Sequence, residues 1–180
     1  MKLMIASDIH GSAYYCRRML EVFQQEGAER LLILGDILYH GPRNDLPKGY
    51  APKEVIALLN PLREKLICVR GNCEAEVDQM VLDFPILADY AVIPNSKNVI
   101  YATHGHVYNR AGPPPLCKGD ILLHGHTHIP ECVDCGSFLC MNPGSVSIPK
   151  ENSENSYMIF DGKSFFWKRL LNSSEFLRYE

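Results

Sequence analysis

All seven histidines of this chain fall in four short segments. They are Asp8-Ile9-His10, the stretch from Gly35-Asp36 to His40, Thr103-His104-Gly105-His106, and His124-Gly125-His126-Thr127-His128. A fifth segment, Gly71-Asn72-Cys73-Glu74, lies between the second and third. Imidazole confined to segments that also hold Asp, Asn and Gly is the chemistry of a metal site assembled from several loops. Asp8 and His10 offer a carboxylate and an imidazole on one turn. Asp36 adds a second carboxylate, Asn72 a neutral amide oxygen, and His104, His126 and His128 three further imidazoles. Mixed nitrogen and oxygen donors without thiolate suit Mn²⁺, Fe, Zn²⁺ or Co²⁺. Seven side chains are too many for one first-row ion, whereas two ions sharing a carboxylate account for all of them. Paired metals about 3.5–4 Å apart are a recurrent device for hydrolysing phosphate esters, because they acidify a shared water, orient the phosphoryl group and neutralise developing charge. Gly11, Gly35, Gly71, Gly105 and Gly125 flank the donors, and glycine permits sharp turns and close approach of phosphate to backbone N–H groups.

The elements that must position these loops alternate in the first half of the chain. Lys2–Ser7 reads as a short buried strand. Ser12 then caps a helix to about Gln25, with Tyr15, Met19, Val22 and Phe23 on one stripe and Gly27 ending it. Arg30–Leu34 is a second strand, followed by a Gly/Pro/Asn-rich loop to Tyr50. Pro52 opens a helix through Leu59, disturbed at its end by Pro61. Leu66–Arg70 is a third strand, and a short helix runs to about Leu82. The second half is strand-rich: Asp89–Pro94 and Asn98–Thr103 about an Asn95-Ser96-Lys97 turn, then Asp120–His124. Glu131–Cys135 and Ser137–Asn142 form a hairpin, and Ser156–Asp161 with Ser164–Leu171 another about Asp161-Gly162. Ala111–Pro115 is extended loop. The pattern predicts two packed sheets flanked by helices. Asp8, Asp36, Asn72, His104 and His126 all follow predicted strand ends, the edge where open α/β sheets build ligand sites.

At 180 residues the chain reads as one domain, 1–180, long enough for a self-sufficient core. A net charge of −3 gives no basic nucleic-acid face and no polybasic membrane patch. The apolar run in MKLMIAS is too short for a signal peptide, and no stretch reaches transmembrane length. Seven cysteines without a signal fit reduced thiols in a cytoplasmic protein. Cys132 and Cys135, with Cys140 nearby, make one Cys-x-x-Cys pair where a zinc ribbon needs two, and the pair sits in strand-and-turn territory. They read as structural thiols on a hairpin.

The motifs DIH, GDxxxH, GNC, THGH and HGHTH, in that order, resemble the calcineurin-like metallophosphoesterases. LMIASDIHG, HGPRN, RGNCEAEVDQM and MNPGSVSIPK are similar to its small bacterial YfcE-type phosphodiesterases. The likeness covers about Met1 to Lys150. It implies a four-layer αββα sandwich of two mixed sheets flanked by helices. It also implies a dinuclear site with Asp8, His10, Asp36 and His128 on one ion and Asp36, Asn72, His104 and His126 on the other, so that Asp36 bridges. The implied cofactors are two divalent ions, Mn²⁺ foremost, with Zn²⁺, Fe, Co²⁺ or Ni²⁺ as alternatives. The implied reaction is in-line attack on a phosphodiester by a metal-bridging hydroxide. Many relatives carry histidine after Gly-Asn, where it helps protonate the leaving group; here Cys73 stands in its place, as it does in the YfcE-type subgroup. A thiol is a poor substitute for imidazolium, which favours diesters over monoesters.

Asn72, Cys73 and His106 are therefore the candidate catalytic residues, with His106 the candidate replacement for the missing histidine. Arg43 and His40 are candidate substrate contacts, since arginine suits bidentate phosphate recognition; bracing of its own loop is an equal reading for Arg43. His124 and the Asn142-Pro143-Gly144-Ser145 turn read as structural, and Trp167 with Phe165-Phe166 as core and sheet-face residues. The expected partner is a small phosphodiester, with no membrane and a homo-oligomer left open. Two rivals are a phosphomonoesterase or nucleotidase on the same site, and a non-catalytic scaffold like the retromer subunit of this fold, against which the intact ligand set argues.

Overall fold

The computed structural model describes residues 1–96 and 98–180, so Lys97 of the expected Asn-Ser-Lys turn lies outside the described residues. The strands are β1 (Leu3–Ala6), β2 (Arg30–Ile33), β3 (Leu66–Cys68), β4 (Tyr90–Pro94), β5 (Val99–Thr103), β6 (Ile121–Leu123), β7 (Pro130–Asp134), β8 (Leu139–Pro143), β9 (Ser156–Phe160), β10 (Phe165–Arg169) and β11 (Glu175–Tyr179). The helices are α1 (Ala13–Gln25), α2 (Pro52–Leu59) and the short α3 (Glu76–Gln79). One sheet has the order β11-β10-β9-β1-β2-β3 and the other β4-β5-β6-β8-β7. Both are mixed: β1, β2 and β3 are parallel, as are β5, β6 and β8, while their flanking strands run antiparallel.

The short apolar runs are buried on both faces, which is why they lack alternation in sequence. Leu3 and Ile5 of β1 face the second sheet, where they join Ile100, Ile121, Met141 and the fully buried Trp167. Met4 and Ala6 face the opposite way, against Cys16, Met19 and Phe23 of α1 and Val55 of α2. Ser12 caps α1 by accepting from the Tyr15 N–H, and Pro61 turns the end of α2 into a 3-10 helix over Asn60–Lys65. The outer layer on the second sheet is thin: Leu116 and Phe138 from loops pack over Leu122 and Cys140. β11 is an addition to the sequence reading. It is an edge strand solvated along most of its length, so it has no buried face to impose a period on its residues.

The seven cysteines are free thiols. Cys132 packs between the sheets and Cys135 against the outer cluster, so the pair does not form a clamp.

One polar cluster ties α1 to β9 and β10. Tyr157 donates its phenol O–H to Glu26 at 2.9 Å, and the Lys168 ammonium donates to the same oxygen at 2.7 Å. Burial pushes the Glu26 carboxyl up, but these two hydrogen bonds and the charges of Lys168 and Lys2 outweigh it and hold it below the ordinary glutamate range. Glu26→Gln is expected to cost about 1 kcal/mol at neutral pH. The stabilisation is present above the unfolded value of about 4.3 and is lost as pH falls through the lower folded value. Urea midpoints at pH 7 and at pH 3 check this; an equal deficit at both would contradict it.

Candidate metal centre

The C-terminal ends of β1, β2, β3, β5 and β6 converge, and their loops carry every proposed ligand. Asp8, His10 and His128 form one group. His128 Nε2 lies 3.2 Å from Asp8 Oδ1 and His10 Nε2 3.5 Å from the same oxygen, with the two Nε2 atoms 3.2 Å apart. Asp36, Asn72, His104 and His126 form the other. His104 Nε2 lies 3.5 Å from Asp36 Oδ2, 3.1 Å from Asn72 Oδ1 and 3.2 Å from His126 Nδ1. Asp36 Oδ2 is also 3.7 Å from His10 Nε2, so one carboxylate faces both groups.

The backbone carries strain at these positions. Asp8, His10, Asp36, His126 and His128 have φ of 59°, 49°, 55°, 66° and 63°. They make up five of the eight described non-glycine residues with positive φ. Left-handed backbone at a β-carbon residue is costly and concentrates at functional sites, where the surroundings over-determine it. Glycine is required at Gly71, where a Cβ would collide with the Asp36 carboxylate and backbone, and at Gly125, where it would collide with the Ser7 hydroxyl.

Hydrogen bonds around the donors set the tautomers. His10, His104 and His128 each direct Nδ1 at a backbone carbonyl, of Tyr39 at 2.8 Å, Leu34 at 2.6 Å and Ile148 at 2.6 Å. A carbonyl only accepts, so Nδ1 carries the proton and Nε2 presents its lone pair to the centre. Nε2 lone pairs 3.2 Å apart and a fully buried Asp8 Oδ1 without a hydrogen-bond partner leave a place that only positive charge satisfies. Without a cation, protons on Nε2 take that place, and the pKa directions show the same demand for positive charge. Burial raises Asp8, but its contacts with His10 and His128 hold it well below the usual range. Burial lowers His104, but the Asp36 hydrogen bond and the charges of Asp8 and Asp36 push it up to about 9. Two buried carboxylates (Asp8, Asp36) and three buried imidazoles (His10, His104, His128), with the half-buried His126 and the exposed Asn72 amide at the open side, fit divalent cations.

Around this set lie residues that brace it: Glu74 and Ser147, to which residue type assigns nothing, and Asn142 and Ser145 of the turn expected to be structural. Glu74 is buried and its carboxylate accepts the backbone N–H groups of Asp36 at 2.9 Å, Ile37 at 2.6 Å and Gly71 at 2.6 Å, fastening the β2 and β3 loops together. Burial and the Asp36 charge push its carboxyl up against those three donors. Ser145 and Ser147 both donate to the Asp8 carbonyl, at 2.9 and 3.0 Å. Asn142 donates to the Gly125 carbonyl at 2.8 Å and the Thr127 hydroxyl at 3.0 Å, which holds the HGHTH turn. The only signal in sequence was a run of small polar residues, which loops also carry.

A cleft of about 340 Å³ opens over the centre and is lined by His10, Asp36, Asn72, His126 and His128 together with Arg43, Asn44, Cys73, Thr127 and Lys150, while Asp8 and His104 lie beneath it. Cys73 Sγ accepts from the Asn72 amide at 3.2 Å, and burial with the Asp36 charge pushes its thiol up, so it stays protonated. His106 is exposed beside His104, with ring centroids 5.3 Å apart. His40 does not line the cleft: it packs edge-on to Tyr39 and Tyr50, with a buried Nδ1 that has no hydrogen-bond partner. His124 is buried against Glu131 at 3.0 Å. A larger cleft of about 400 Å³, near Asn95 and Ile121, contains none of the histidines.

The fold and this centre define a class. A calcineurin-like phosphoesterase superfamily domain matches residues 1–164, and the chain belongs to that family. Phosphodiesterase YfcE of Escherichia coli (strain K12) is 51% identical over 161 residues, spanning 89% of this chain and 88% of the relative. The solved structure of that E. coli phosphoesterase aligns with a TM-score of 0.96 at 47% identity, covering 99% of this chain and 98% of the other. Wild-type Vps29 of Entamoeba histolytica, solved with Zn²⁺, has a TM-score of 0.63 at 20% identity over 99% and 98% of the two chains, a likeness of fold alone.

Proposed function

We propose that this chain is a phosphodiesterase that uses two divalent metal ions. The observation that carries the reading is Asp36, whose Oδ2 lies 3.7 Å from His10 Nε2 and 3.5 Å from His104 Nε2. Asp8, His10 and His128 would hold one ion, Asn72, His104 and His126 the other, and Asp36 both. When bound, such ions supply Lewis acidity, charge neutralisation and acidification of water. The chain's own part is orientation. Backbone carbonyls fix three imidazole tautomers, Glu74 fixes the Asp36 loop, and the Asn72 amide spans His104 and Cys73. Mn²⁺ is the first choice of metal, with a small phosphodiester as substrate.

The whole chain, 1–180, acts as a single domain on this reading, because β9 pairs directly with β1. Seven free thiols, which suit a reducing compartment, support a cytoplasmic location. No described helix is long and apolar enough to cross a membrane.

Cys73 supports diesters over monoesters, since a protonated thiol gives a departing alkoxide little help. His106 is exposed beside His104, with ring centroids 5.3 Å apart, a position that supports contact with substrate. The test compares bis-p-nitrophenyl phosphate with p-nitrophenyl phosphate in Mn²⁺. The wild type is expected to favour the diester. Cys73→His is expected to raise monoester hydrolysis by about tenfold or more, within the range of general acid catalysis. A monoester preference in the wild type would favour the phosphatase alternative, and an unchanged ratio in the variant would remove Cys73 from the account of specificity.

A further inference from the structure

The cleft over the centre holds more positive charge than a simple phosphodiester uses. Arg43 reaches it from the loop between β2 and α2, and Lys150 from the loop between β8 and β9. Both are exposed, and among the described residues neither has a carboxylate within ion-pair distance. Among the described residues the only acid lining the cleft is Asp36, already committed to the centre. Lys150 stands on a fixed backbone. Its N–H donates to the His128 carbonyl at 3.3 Å, its carbonyl accepts from the Ser153 hydroxyl at 2.6 Å, and Glu151 and Asn152 after it turn with φ of 52° and 60°. The loop that positions His128 through the Ile148 carbonyl therefore also sets the place of this cation.

A plain diester carries one negative charge, on the phosphoryl oxygens that belong at the centre. Two further cations on separate loops at the mouth have nothing in the protein to neutralise. Among the described residues no phenylalanine, tyrosine or tryptophan lines the cleft, so a base finds no large aromatic face there. We propose, on the phosphodiesterase reading above, that this site takes phosphodiesters in which one ester arm carries a second anionic group, a carboxylate or a phosphate, held by Arg43 and Lys150. Arms carrying a cation are disfavoured, and a nucleobase arm gains nothing.

The test uses the metal-loaded full chain and four p-nitrophenyl phosphodiesters with the same leaving group. Their second arms are 3-carboxypropyl, butyl, choline and thymidine. The carboxypropyl ester is expected to exceed the butyl ester in kcat/KM by about fivefold to tenfold at low ionic strength, mainly through KM, since two exposed ion pairs have about that worth. The choline ester falls below the butyl ester, and the thymidine ester matches it. Lys150→Gln and Arg43→Gln each lower the carboxypropyl-to-butyl ratio about threefold, and 0.5 M salt compresses it similarly. Equal rates for the carboxypropyl, butyl and choline esters, a preference for thymidine, or variants that leave the ratio unchanged would overturn the proposal while the phosphodiesterase reading stood. Failure to hydrolyse any of the four would overturn that reading and this one with it.

Discussion

Asp36→Asn is expected to lower hydrolysis of bis-p-nitrophenyl phosphate by about 10³-fold or more, with the fold intact. Asparagine has the shape of aspartate and keeps an oxygen for the Cys73 N–H, which now donates to Asp36 Oδ1 at 2.9 Å. What it loses is the charge that faces both donor groups. A Lewis-acid contribution of several kcal/mol, at 1.36 kcal/mol for each factor of ten, sets the scale of the loss. The measurement is kcat/KM with Mn²⁺ beside a thermal unfolding curve. Activity within tenfold of wild type would mean that Asp36 does not join two ions.

Glu74→Ala is the variant expected to cost most in stability. Its carboxylate is the acceptor for three backbone N–H groups, of Asp36, Ile37 and Gly71. Left without a partner, each buried donor costs about 1–3 kcal/mol. Partial relaxation brings the expected total to about 3–5 kcal/mol, a fall in Tm of roughly 10 °C for a chain of this size. Glu74→Gln keeps one acceptor oxygen and is expected to lose about half as much. Denaturant midpoints on metal-free protein isolate the effect from ligand binding. A loss under about 1 kcal/mol for Glu74→Ala would show that water replaces the carboxylate, and the fastening of the two loops would then lie elsewhere.

The gathering of Asp8, His10, Asp36, Asn72, His104, His126 and His128 was legible in sequence because Asp, Asn and His at strand ends are types with few alternative uses in such concentration. The paired sheets were legible for a related reason: LMIA and RLLI are apolar throughout, as strands buried on both faces must be. Three features were not. β11 lacks a buried face, so EFLRY carries no pattern that separates it from a surface loop. The left-handed backbone at Asp8, His10, Asp36, His126 and His128 contradicts local preference and exists only because the surroundings impose it. The braces at Glu74 and Ser147 depend on contacts made across the fold, which residue type alone does not reveal. His40 shows the converse: adjacency to the Asp36 loop suggested a site role, whereas the ring packs between Tyr39 and Tyr50.

On the proposed reading, seven side chains hold two ions and catalysis depends on them. The most direct measurement is the metal content of the purified chain after saturation with Mn²⁺ and removal of excess, by elemental analysis, with diester hydrolysis followed on the same sample through chelation and re-addition. Two ions per chain are expected, with activity lost on chelation and restored by Mn²⁺. One ion or none at full activity, or hydrolysis that persists undiminished in the chelator, would contradict it.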